Sequence, residues 1–262
     1  MSGSDNKGGG KTPNKTPGKS SGKRKPKARE TTKRVKTARG RKNSSTRWLQ
    51  RQLNDTYVSE AQRLGYRSRA AFKLIGIDDK TGILKKGQTV IDLGAAPGGW
   101  LQVAVERGAT KVIGIDLLPV DPLGGVTFLQ MDFMDEDAPE ALINALGEGA
   151  DIVMSDMAPN TTGHKDTDHL RIMALVEAAY EFAYDILKQD GVFISKVFQG
   201  GAQSDLIRRM KMEFKTVKHI KPPASRKESS EQFIVAQGFK ADKRDAKLKA
   251  EAEAGVEEGA EF

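Results

Sequence analysis

The chain has 262 residues, enough for one sizeable core, but only 37% of them are hydrophobic, so part of it is expected to lie outside any core. There is no cysteine, which excludes disulfides and thiolate metal sites and points to a reducing compartment. No apolar run approaches the roughly 20 residues that span a bilayer, and the N-terminus lacks the apolar segment of a secretory signal; a soluble cytoplasmic protein is expected.

The net charge of +8 is unevenly placed. Residues 1–47 carry 16 lysines and arginines against two acids, Asp5 and Glu30, whereas the rest of the chain carries 27 against 33. Residues 1–43 hold almost no large apolar side chain and are expected to be a disordered basic tail. Such an arm attracts polyanions without regard to sequence and in a salt-sensitive way; RNA is the expected partner, though DNA or an anionic membrane surface fits the charge equally well.

Next come two expected helices, 47–64 and 69–77. From residue 89 strands and helices alternate: strands at 89–92, 112–116, 126–131, 152–155, 192–198, 216–221 and 232–236, helices at 100–107, 139–146, 169–188 and 205–214. This pattern predicts an α/β fold with a mostly parallel seven-stranded sheet and helices on both faces. The connection from 222 to 231 is too short for a helical crossover, so the last strand should run antiparallel. The domain is expected over 44–239, followed by a charged tail at 240–262 without an apolar stripe.

The first strand runs into IDLGAAPGGW, residues 91–100. Gly94, Gly98 and Gly99 let a ligand approach the backbone. Asp92 ahead of the turn repels phosphate, and Pro97 removes an N–H donor that a phosphate would need. An acid there suits a ligand bearing cations and hydroxyls, such as S-adenosylmethionine. Asp116 ends the second strand, 24 residues after Asp92, near the spacing at which an acid meets ribose hydroxyls. Asp132 follows the third strand, placed to accept from an adenine amino group with Phe133 beside the ring. Ligands of open α/β sheets sit at these carboxyl ends.

The fourth strand ends in MSDMAPN, placing Asp156 on the same rim. Without an aromatic there to stack a base, an oxygen is the expected target. Lys196 lies inside the apolar fifth strand GVFISKVFQG, a costly position unless paired. Held beside Asp156, it can act as general base on a hydroxyl. His164, His169 and His219 have no metal-ligand spacing, and no metal is expected. Arg47, Arg63, Arg67 and Arg69, and later Arg226 and Lys227, are candidate phosphate contacts. Trp48, Tyr57 and Tyr66 could stack a base or pack in the core.

Taken together, SSTRWLQRQ, YRSRAAFKL, IDLGAAPGGW, DLLPVDPLGGVTFLQMDF, VMSDMAPN, SKVFQG and SRKESSEQFIVA make the stretch 44–238 resemble the FtsJ-type family of large-subunit ribosomal RNA 2′-O-ribose methyltransferases. The resemblance implies a Rossmann-like methyltransferase fold using S-adenosylmethionine, held by Gly98, Trp100, Asp116 and Asp132, to which the reading of the loop and rim adds Asp92, Gly94 and Asp156. It also implies a catalytic tetrad of Lys73, Asp156, Lys196 and Glu231. Lys196 would take the 2′-hydroxyl proton, Asp156 would orient it, and Lys73 and Glu231 would complete the charge ring. The implied substrate is a uridine in the A-loop of 23S ribosomal RNA in the large subunit, acted on by a monomer. A transfer RNA 2′-O-methyltransferase shares the fold and tetrad, and an assembly factor acting mainly by binding is an alternative of another class. One departure is Ala71, where the family often has an aromatic.

Overall fold

A computed structural model describes residues 43–159, 162–198, 204–246 and 249. The basic arm up to residue 42, the side chains of Arg47 and Trp48, and most of the expected C-terminal tail lie outside the described residues.

Three helices come first: α1 (Asn43–Leu53), α2 (Thr56–Leu64) and α3 (Ala71–Thr81). The single helix expected over 47–64 is therefore two. Asp55 breaks it: its backbone is extended and its side chain accepts from the Tyr57 amide at 3.1 Å, the geometry of an N-cap. Then follow β1 (Thr89–Leu93), α4 (Gly99–Glu106), β2 (Lys111–Asp116), β3 (Val126–Gln130), α5 (Ala138–Leu146), β4 (Ala150–Ser155), α6 (Lys165–Ile186), β5 (Leu187–Phe198), α7 (Ser204–Glu213), β6 (Phe214–Ile220) and β7 (Glu231–Phe239).

The strands form one sheet in the order β3-β2-β1-β4-β5-β7-β6. The first five are parallel, and β7 lies antiparallel between β5 and β6, as the short 222–230 connection demands. This is the mostly parallel sheet expected from the alternation, in the Rossmann-like arrangement that the resemblance implies. β1 and β4 are buried on both faces and so read as continuous apolar runs. The edge strand β6 instead carries exposed Lys215 and Lys218, which discourage pairing with another chain.

Two apolar clusters cover the two faces. One packs α5, α6 and α7 against Ile91, Ile113, Val153 and Phe193. The other packs α3 and α4 against Val90, Val112, Ile152, Met154, Ile194, Phe233 and Val235. Side chains alternate along a strand, so residues two apart share a face. That rule puts Asp92 with Val90, Lys196 with Ile194, and Glu231 with Phe233. The charged residues thus emerge on the α3/α4 face, at the carboxyl ends of the parallel strands. The core continues past β7: Ala241 is buried, and Arg244 Nη1 donates to the carbonyls of Tyr184, Asp185 and Leu187.

Candidate active site

α4 organises the approach to the site. Gln102 accepts from the Arg67 amide at 2.7 Å and donates to the Gly65 carbonyl at 3.0 Å. Trp100 is buried, its ring centroid 5.6 Å from that of Phe233, and its indole Nε1 donates to the Ala70 carbonyl at 2.8 Å. Its side chain therefore serves packing. These bonds fix the segment that feeds α3, which carries Lys73. Ala71 begins that helix fully buried.

Lys73, Asp156, Lys196 and Glu231 come together from α3, the end of β4, β5 and the start of β7. Lys73 Nζ lies 2.8 Å from Glu231 Oε2 and 3.2 Å from Asp156 Oδ2. Lys196 Nζ lies 3.0 Å from Asp156 Oδ1 and donates to the Asp156 carbonyl at 2.5 Å. Glu231 is held from behind by Ser225, whose hydroxyl donates to Oε1 at 2.7 Å. The four charges sum to zero, and each side chain is at most 16% exposed. The apolar setting of Lys196 is thus compensated by a fully engaged partner.

The electrostatics follow from the pairing. Burial pushes the Asp156 carboxyl up, but Lys196 and Lys73 outweigh it and hold its pKa below the ordinary value. Burial pulls Lys73 down, but Asp156 and Glu231 outweigh it and raise its pKa. Asp156 is therefore an anion and Lys73 a cation at neutral pH.

The glycine loop is built differently. The amides of Gly94 and Ala95 donate to the Ile115 carbonyl, that of Ala96 to Asp116 Oδ2 at 2.9 Å, and that of Gly98 to the Ala95 carbonyl. With these four amides engaged and Pro97 lacking one, the loop is no phosphate cradle. Gly94 and Gly98 have φ of +79° and +102°, and a Cβ would meet Met157 at 2.6 Å or the Arg67 guanidinium at 2.7 Å. Asp92 is 1% exposed, and neither carboxylate oxygen has a hydrogen-bond partner among the described residues. Burial first, then Asp156 and Asp116, push its pKa well above the ordinary carboxyl range. A buried, unpartnered carboxylate at the strand ends, beside Asp156 and Asp116, fits an ammonium or another cationic ligand group, so the residues present fit S-adenosylmethionine.

Asp116 Oδ1 also accepts from the Leu118 amide at 2.9 Å. Asp132 Oδ1 accepts from the Met134 amide at 2.9 Å, and the preceding Met131 amide donates to the Asp116 carbonyl, so both acids stand at one edge. Phe133, expected beside an adenine ring, is instead buried edge-on against Phe182 at 5.7 Å. Its apolar ring is drawn into the core beneath β3.

A cleft of about 590 Å³ opens beside the tetrad, its lining including Arg51, Arg69, Lys73, Arg226 and Glu231. Of the candidate phosphate contacts, Arg69 and Arg226 face it. Arg63 pairs with Glu60 on the exposed side of α2, and Arg67 donates to the Pro122 carbonyl at 2.9 Å. Tyr57 and Tyr66 pack on Phe72, and the Tyr66 hydroxyl, pushed up to about 12 by burial and Glu106, donates to that carboxylate. Sequence reasoning missed Ser225, whose partner depends on how the 222–230 loop folds, and Asp55, which an N-cap signal before Thr56 could have revealed.

Against known proteins, the sequence model of the FtsJ-like methyltransferase family matches residues 66–239. Ribosomal RNA large subunit methyltransferase E of Gluconobacter oxydans is 57% identical over 216 residues, 82% of this chain and 81% of that protein. The protein of that name from Granulibacter bethesdensis is 60% identical over 206 residues, 79% of this chain and 90% of its own. Among solved structures, one described as a ribosomal RNA methyltransferase from Plasmodium falciparum has a TM-score of 0.60 at 33% identity, covering 66% of this chain and 98% of that one.

Proposed function

This chain belongs to the FtsJ-like methyltransferase family, and from that premise we propose that it methylates a ribose 2′-oxygen of large-subunit ribosomal RNA, at a uridine of the 23S A-loop. The observation that carries the reading is Lys196: a nearly buried amine held by both the carboxylate and the carbonyl of Asp156, on the rim that also presents the unpartnered Asp92. S-adenosylmethionine supplies an electrophilic methyl on a sulfonium, which needs no metal. Asp92 would hold its ammonium, Asp116 its ribose hydroxyls and Asp132 its adenine amino group, with the main chain of Gly94, Gly98 and Trp100 close by and Asp156 next to the transferred group.

The chain's own part is to place the hydroxyl and remove its proton. For the reaction Lys196 first gives up the proton that balances the resting site; its Nζ then accepts the hydroxyl proton, with Asp156 fixing its direction. Lys73 is held cationic by its two carboxylates, so it is suited to offset charge developing on the ribose oxygen and not to act as the base. Glu231, fixed by Ser225, keeps Lys73 in place. Positioning of this sort is worth roughly 7–11 kcal/mol in well-aligned cases, and a general base a further factor of about 10²–10⁴.

The relatives' names favour large-subunit RNA over transfer RNA. The catalytic unit is residues 44–239 with its packed extension to Arg244. In this reading it acts as a monomer. The 1–43 arm adds salt-sensitive attraction to RNA, and the site of action is the cytoplasm, in keeping with the absence of cysteine. The test is methyl transfer from labelled S-adenosylmethionine to intact large subunits, naked ribosomal RNA and transfer RNA, all from cells lacking the modification. Label on one ribose 2′-oxygen of the large-subunit RNA is expected; label confined to transfer RNA overturns the reading.

A further inference from the structure

Asp55 does more than cap α2. One carboxylate oxygen accepts from the Tyr57 amide. The other lies 3.2 Å from Arg69 Nη1 and 3.5 Å from Arg226 Nη2. An N-cap needs only the first contact, and asparagine or serine would supply it as well. The second joins three separate stretches of chain: the turn between α1 and α2, the segment leading into α3, and the loop between β6 and β7. Arg69 also donates to the Ala224 carbonyl, next to the Ser225 that holds Glu231. Both arginines line the cleft beside Lys73, while Asp55 stands behind them with a side chain only 10% exposed.

We propose that Asp55 is a positioning residue for the RNA substrate, setting Arg69 and Arg226 side by side as one grip for the phosphate backbone next to the reacting ribose. The inference rests on the reading of the substrate as large-subunit ribosomal RNA. Two guanidinium groups repel each other, and a shared carboxylate offsets that repulsion and fixes both planes. Each guanidinium has five N–H donors, so donors remain for phosphate oxygens after the contacts to Asp55 and Ala224. The grip also ties the 222–230 loop to the N-terminal helices, placing the phosphate contacts at a set distance from the tetrad.

The test uses the full chain, labelled S-adenosylmethionine and large subunits lacking the modification. Asp55→Asn and Asp55→Ser both keep the cap and remove the charge. Each is expected to raise the KM for the subunit about tenfold, with kcat within about twofold and cofactor affinity unchanged, the loss of one well-placed charged contact. With Arg69→Ala and Arg226→Ala already present, Asp55→Asn should change KM by less than about twofold, because the carboxylate acts through those arginines. An unchanged or lowered KM in both variants overturns the inference, as does an equal tenfold effect without the arginines. Wild-type protein that places no label on large-subunit RNA overturns the substrate reading itself, an outcome distinct from equal labelling by wild type and variant.

Discussion

At the end of β4, Asp156 lies 3.0 Å from Lys196 and 3.2 Å from Lys73, whereas at the end of the adjacent β1, Asp92 is buried with both carboxylate oxygens unpartnered. The two acids sit on the same face of neighbouring strands and differ in what was brought to them. In the substrate half of the site α3, β5 and β7 deliver two lysines and a second carboxylate, so buried charge is balanced before any ligand arrives. In the half proposed for the cofactor, Asp92 and Asp116 stand together, and neither forms an ion pair with a lysine or arginine among the described residues. On the proposed reading, the half that is balanced within the chain is preassembled for catalysis, and the half left with uncompensated negative charge suits a positively charged ligand. The pKa directions carry the same contrast, down for Asp156 and well up for Asp92.

The contrast breaks most severely at Asp156. Asp156→Ala leaves two buried lysines without their shared partner, and loss of one side of a buried pair costs about 3–5 kcal/mol. Urea denaturation should show a loss of that order, and methyl transfer should fall to background. A variant as stable as wild type would mean that the balance contributes nothing to folding.

Asp92→Asn should act in the opposite direction on the unliganded protein, since it removes a buried charge that nothing compensates. We expect it to be more stable than wild type at neutral pH by about 1–3 kcal/mol, while binding S-adenosylmethionine more weakly. The sign follows from linkage. The folded pKa of Asp92 lies above its ordinary 3.8, so its stability is fully present below about pH 3.8 and falls as pH rises toward the folded value. Asp156 behaves inversely, its contribution present above about pH 3.8 and lost as pH falls through its lowered folded value. Lys73 contributes below about pH 10.5 and loses that as pH rises through its raised value. Denaturation across pH 4–8 without cofactor should therefore decline less in Asp92→Asn than in wild type; identical profiles would remove the claim that Asp92 is uncompensated.

The smallest effect is expected at Ser225. Ser225→Ala removes one hydrogen bond to Glu231, worth about 1 kcal/mol, so kcat should fall by roughly five-fold with cofactor affinity unchanged. Steady-state kinetics on large subunits would check it, and a change in KM alone would assign Ser225 to binding.

The sheet and the tetrad were legible in the amino-acid sequence for definite reasons. Strands buried on both faces read as apolar runs, and a lysine inside one, at 196, has few explanations that do not involve a partner. The acids at successive strand ends stood out because the glycine turn marked the site. What was not legible depends on loops and packing. Nothing around Ser225 announces that it will meet Glu231, because that contact is set by the path of the 222–230 loop. Phe133 was expected beside an adenine ring, but the core took it. The break at Asp55 was missed although a cap signal precedes Thr56, and its contacts with Arg69 and Arg226 join residues 14 and 171 positions away.

The most direct test of the central claim, that Lys196 is the proton acceptor in a preassembled tetrad, is single-turnover methyl transfer by Lys196→Ala on intact large subunits, with cofactor affinity measured on the same protein by calorimetry. The account predicts a rate lower by about 10²–10⁴ with S-adenosylmethionine bound nearly as tightly as by wild type. A variant that binds the cofactor and transfers the methyl at the wild-type rate would contradict it.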